Sequence, residues 1–122
     1  MLKLKPTHQA GHQSLYRATV TININYGSFS FSRKAKEVMK LSKGSRFDII
    51  ENKGLFYIKP SETGAFILGE KNGTKGRLYT TDKGVSNLIK ESYNVKSGSF
   101  MLHIGVNPVV LNGETNCFIL NK

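Results

Sequence analysis

Six cations are the residues of this chain whose types and spacing could do chemistry together: Arg33, Lys34, Lys36, Lys40, Lys43 and Arg46, with Glu37 the sole acid among them. A set so spaced suits a polyanion. Each cation placed on a phosphate releases condensed counterions, so such binding is strong at low salt and falls as salt rises. Lysine outnumbers arginine 14 to 4 in the whole chain, and arginine makes the better fork on guanine. Phosphate contacts are therefore expected to outweigh base readout. Arg17 extends the set, and Lys3 and Lys5 lie in a polar stretch that could follow an adjacent groove.

The wider balance supports this reading. The chain has 122 residues, with 18 Lys and Arg against 8 Asp and Glu, a formal charge of +10. Residues 1–46 hold nine basic groups against Glu37 alone, whereas residues 47–122 hold nine against seven. The surplus belongs to the N-terminal part, so the binding face is expected there.

Other chemistries find little support. There is no GxSxG, P-loop or HExxH pattern and no pair of acids in an apolar setting. Asp48 and Glu51 flank a hairpin and read as solvated strand residues. His103 alternates with Leu102 and Ile104, so it faces away from them, and no partner for a catalytic base is evident. Cys117 begins the apolar run Cys117, Phe118, Ile119, Leu120 and reads as a small buried hydrophobe. His8 and His12 are four apart, but Pro6 and Gly11 oppose a helix there, and structural zinc usually takes four ligands. No catalytic residue, cofactor, metal or small-molecule substrate is expected. The longest apolar runs, residues 65–68 and 109–111, are too short to cross a bilayer, the N-terminus lacks a signal-peptide core, and a single cysteine allows no internal disulfide. A cytoplasmic protein without a membrane partner is expected.

The elements that would position the cations follow from periodicity. Residues 1–14 read as a flexible basic arm. Residues 15–25 alternate, with Ala18, Val20, Ile22 and Ile24 on one face, and Phe29 and Phe31 alternate with serines after a turn at 25–27. The period then becomes helical at Ala35, Val38 and Met39, with Leu41 beyond. Ser32 is the expected N-cap and Gly44 the expected left-handed residue past the end. A hairpin over 46–59 turns at Asn52, Lys53 and Gly54, and Pro60 stops it.

The same order recurs. Strands are expected at 65–69 and 76–80, a helix capped by Asp82 with Val85, Leu88 and Ile89 inward, then strands at 100–106, 109–111 and 117–120. Asp82 lies 50 residues after Ser32. Ser97, Gly98 and Ser99 echo Lys43, Gly44 and Ser45 at an offset of 54, so the second helix region is longer by about one turn. About 45 residues make a marginal core, so 15–60 and 65–122 are expected to share one.

Gly27, Phe29, Phe31, Ala35, Met39 and the turn Gly44, Ser45, Arg46 occupy the places of the short motif of the AbrB/SpoVT transition-state regulators, which the segment 18–60 resembles. Gly76, Arg77, Leu78, Tyr79, Val85, Leu88, Ile89, Gly98 and Ser99 look like a diverged second copy. The resemblance implies a mainly β fold with two short helices, tandem ββαββ repeats forming one swapped-hairpin, pseudo-dimeric β-barrel, as a monomeric pseudo-dimer or a homodimer. It also implies double-stranded DNA binding and a role in transcription regulation. The position after the turn glycine, often arginine in the family, is Ser28 in the first copy and Arg77 in the second, so Arg77 joins Arg17, Arg33, Lys34, Lys36, Lys40, Lys43 and Arg46 as an expected nucleic-acid-binding residue. The second helix carries only Lys83 and Lys90 against Asp82 and Glu91. A half so neutral would not read a symmetric operator as a true dimer does. The alternative is a non-enzymatic protein-interaction or structural module that keeps the barrel without binding DNA.

Overall fold

The computed structural model describes residues 17–70 and 78–122. The elements in chain order are β1 (Thr19–Asn23), β2 (Ser28–Phe31), α1 (Arg33–Met39), β3 (Arg46–Asn52), β4 (Leu55–Pro60), β5 (Phe66–Ile67), β6 (Gly69–Glu70), β7 (Leu78–Thr81), α2 (Lys83–Ser92), β8 (Ser99–Ile104), β9 (Val109–Leu111) and β10 (Glu114–Asn121). The arm at residues 1–14 lies outside the described residues.

The strands form a single antiparallel path in the order β5, β3, β4, β10, β8, β1, β2, β7, β6, with β9 attached to β10 alone. The two ends of that path are consecutive in the chain. β5 pairs with β3 and β6 pairs with β7, and Leu68 joins them. The Leu68 amide donates to the Ser45 carbonyl at 2.9 Å, and its carbonyl accepts from the Gly44 amide at 2.8 Å. Residues 65–69, expected as one strand, are thus two short strands that bend at Leu68 and bring the sheet round into a nearly closed barrel. Closure leaves few unpaired strand edges.

Alternation fills the barrel. Val20 and Ile22 on β1, Phe29 and Phe31 on β2, Leu102 and Ile104 on β8, and Phe118 and Leu120 on β10 all point inward and are buried. Phe47 lies at one centre of this core, edge-on to Phe31 and stacked on Phe66, each with centroids 5.5 Å apart. Gly64 lies so close that a Cβ there would collide with the Phe47 backbone. Two hairpins turn through residues with positive φ, Lys53 (55°) with Gly54 (81°) and Asn112 (47°) with Gly113 (84°), the backbone that matches strand twist.

Both helices are capped as their sequences suggest. Ser32 accepts from the Ala35 amide at 3.2 Å and Asp82 from the Val85 amide at 3.0 Å. The C-terminal ends correct the expectation for Gly44. Lys40 itself takes the left-handed conformation, φ 56°, and the Leu41 amide donates back to the Lys36 carbonyl at 2.8 Å. Gly44 is also left-handed, but in the turn before β3. Asn94 repeats the arrangement of Lys40 after α2, with φ 52° and the Val95 amide on the Lys90 carbonyl at 3.0 Å. Leu88, expected inward, is exposed. The stripe facing the barrel is Val85, Ser86, Ile89 and Tyr93, spaced by three and four residues, and Leu88 lies to one side of it. Ser86 can be buried there because its hydroxyl donates to the Asp82 carbonyl at 2.6 Å.

Candidate nucleic-acid interface

Helix α1 places the cations by anchoring two positions. Ala35 and Met39 are buried in the core, so the remaining side chains are turned toward the surface. Arg33, Lys40, Lys43 and Arg46 are exposed, while Lys34 and Lys36 are half-buried. The Ser32 hydroxyl draws Arg17 to the same place. It donates to the Arg17 carbonyl at 2.8 Å and accepts from the Thr19 amide at 2.9 Å as well as from Ala35. The backbone of exposed Arg17 therefore stands beside Ser32, the residue that caps α1. The first turn of α1 carries no acid. Cations there oppose the helix dipole at a cost of a few tenths of a kcal/mol, so the stability of the helix is no reason for their position.

Two shallow clefts flank the helix. One, of about 480 Å³, gathers Arg33, Lys36 and Lys43 with Glu37 and Glu70. The other, of about 560 Å³, gathers Lys40 and Arg46 with Glu62, and Ser45, Ser61 and Asn116 also line it. Arg46 has a second task. Its Nη1 donates to the Gly64 carbonyl at 3.0 Å, which fixes the loop between β4 and β5 and holds one edge of the guanidinium inward. The structure thus brings Arg17, Arg33, Lys34, Lys36, Lys40, Lys43 and Arg46 around one helix, while Arg77 lies outside the described residues.

Further cations lie outside the α1 segment. Lys90 and Lys96 share a cleft with Glu91, Asn87 and Asn94. Lys59, where β4 meets β10, pairs with Glu114 at 3.3 Å and donates to the Thr115 carbonyl at 2.6 Å. Like the cations in the two clefts beside α1, these lie near acids, and Lys59, like Arg46, is also tied to the backbone.

Asp48, Glu51 and Cys117 have structural partners. Asp48 Oδ1 accepts from the Ala65 amide at 2.9 Å, and Glu51 Oε1 from the Gly54 amide at 2.8 Å. Both carboxylates hold turns. Half-buried His103 points away from buried Leu102 and Ile104. Cys117 is fully buried, with Sγ 3.4 Å from the Glu114 carbonyl, and burial pushes its thiol above the ordinary range. It is held as a thiol, not as the reactive thiolate. His8 and His12 lie outside the described residues. Among the described residues no group of three or more His, Cys, Asp and Glu could hold a metal ion, and no helix is long and apolar enough to cross a membrane.

Sequence reasoning missed one surface. The outer face of β1, β2 and β7 is a concavity of about 610 Å³. Thr21, Ser30 and Tyr79 form one cross-strand row, and Asn23, Ser28 and Thr81 the next. Tyr26 and Ser99 flank these rows. The small polar side chains of β1 and β2 were visible in the alternation, but nothing local told that β7 lies beside β2.

The fold is that of a small, mainly β, nearly closed antiparallel barrel with two helices. Compared with known proteins, the chain matches no family model, no curated protein and no solved structure.

Proposed function

We propose that this protein binds double-stranded DNA through the phosphates, using the cations around α1, and that it acts as a transcription regulator with weak sequence preference. The observation that carries the reading is the gathering of exposed Arg17, Arg33, Lys40 and Lys43 around one helix that Ala35 and Met39 pin to the core. Exposed cations on a helix anchored to the core suit backbone contact, which positions a protein on a duplex but carries no sequence information directly.

The barrel, on the same reading, is a swapped-hairpin pseudo-dimer of the AbrB/SpoVT kind, built within one monomeric chain. The strand order supports this. Let β1 correspond to residues 66–70, β2 to β7, β3 to β8 and β4 to β10. Interchanging every pair leaves the order around the barrel unchanged. The matched N-caps at Ser32 and Asp82, and the matched left-handed ends at Lys40 and Asn94, add to it. Their offsets, 50 and 54, place the length difference inside the helix.

Amide chemical shifts recorded on addition of a 16-base-pair duplex test the interface. Shifts are expected over residues 33–46 and at Arg17, with residues 87–96 little affected. Shifts concentrated in 87–96, or none at low salt, would reject the reading. A second reading, a protein-interaction module, draws on one observation. β9 is an edge strand outside the barrel path, and Val106, Val109 and Val110 around it are exposed, which suits strand addition by an extended peptide. A pulled-down protein partner whose capture ignores the α1 cations would favour it.

A further inference from the structure

We propose that the concave outer face of β1, β2 and β7 is a binding site for a neutral saccharide, separate from the cationic flank and independent of the duplex reading. The face is built of side chains that carry no charge. Thr21, Ser28, Ser30 and Thr81 present hydroxyls, Asn23 an amide, and Tyr26 and Tyr79 aromatic rings with a hydroxyl at the edge. Among the described residues no acid or base lines it, in a chain where 21% of residues are charged.

The chemistry narrows the ligand. Among the described residues of this face, an anion or a cation would leave its hydration shell and meet no opposite charge. An apolar ligand would strand several hydroxyls. A sugar meets both halves of the site. Its hydroxyls, like those of serine and threonine, both donate and accept. The apolar faces of its rings lie flat on aromatic side chains, and tyrosine offers an apolar body with a polar tip. The concavity is of about 610 Å³, within the range of small-ligand sites. The scaffold beneath is preformed. Ile22 and Phe29, on the inner face of the same strands, are fully buried, so ligand binding need not order the backbone.

The test is a titration of the protein with maltohexaose, cellohexaose and chitohexaose, followed through the backbone amides of Thr21, Ser28, Ser30 and Thr81. One of the three is expected to give saturable shifts with a dissociation constant on the order of 1 mM or tighter. Tyr79→Phe should keep that affinity and Tyr79→Ala should weaken it at least about tenfold, both with an otherwise unchanged amide spectrum. Ser30→Lys, a charge placed on the outer face, should also abolish binding. Saturable shifts with none of the three would overturn the proposal. So would shifts at these amides with thymidine or adenosine but no sugar, or binding untouched by both Tyr79→Ala and Ser30→Lys.

Discussion

Replacing Arg33, Lys40 and Lys43 together by glutamate should weaken duplex binding on the order of a hundredfold at moderate salt, equally for unrelated DNA sequences. All three side chains are exposed, so the substitution acts on the surface and the barrel should keep its circular dichroism. Each lost phosphate contact removes about 0.9 from the slope of log affinity against log salt. The variant's slope should therefore be shallower by about three, with the salt dependence of the one to three remaining contacts, a slope between about −1 and −3. Lys90, Lys96 and Lys122 changed to glutamate make the same difference in net charge at positions outside residues 17–46. That control should lose far less affinity. Fluorescence polarisation on two duplexes of unlike sequence checks both. Equal losses in the two variants would mean that net charge alone, not the α1 cluster, holds DNA.

Tyr93→Phe should destabilise the fold by about 2–4 kcal/mol, measured by urea unfolding. The Tyr93 hydroxyl accepts from the Phe56 amide at 2.8 Å and donates to the Leu120 carbonyl at 2.7 Å. One oxygen at the end of α2 thus satisfies two buried backbone groups, on β4 and on β10, at the place where the halves of the chain meet. Phenylalanine keeps the ring, which packs edge-on against Phe56 with centroids 5.9 Å apart, and leaves both groups without a partner. The effect therefore reports the hydroxyl and not the aromatic packing. The pH dependence follows from the same burial, which raises the Tyr93 hydroxyl above its ordinary value of 10.0. The folded state holds the proton while the unfolded chain releases it. This contribution is complete below pH 10 and is lost as pH rises through the folded value. Cys117, raised above 9.0 by burial, adds a loss of the same sign that begins lower. Tyr93→Phe should remove the later part of the alkaline decline and leave the earlier part.

Local features of this chain were legible because each rests on a few neighbouring residues. The change of period between Phe31 and Ala35, with a serine between them, announced both the end of a strand and a capped helix. Asn52, Lys53 and Gly54 announced a hairpin, since two successive residues with positive φ need such a turn. The cations were legible as a group for the same reason: Ala35 and Met39, four apart, set which face of α1 is buried. Long-range facts were not legible. The pairing of β1 with β8 and of β4 with β10 joins residues distant in sequence, and alternation looks the same whichever partner a strand has. The bend at Leu68 depends on Gly44 and Ser45, more than twenty residues away. Leu88 was misplaced because a hydrophobic residue next to Ile89 fits the helical period almost as well as Ser86, and only the buried hydroxyl bond of Ser86 decides between them. The second task of Arg46 depends on Gly64, which the chain brings back only after a full hairpin.

A salt titration of the native protein tests most directly the proposal that the α1 cations hold duplex DNA through its phosphates. Affinity for a short duplex, measured by fluorescence polarisation from about 50 to 200 mM salt, should fall along a straight log–log line. Four to six phosphate contacts predict a slope between about −3.5 and −5.5. A flat line, or no binding at the lowest salt, would contradict the account.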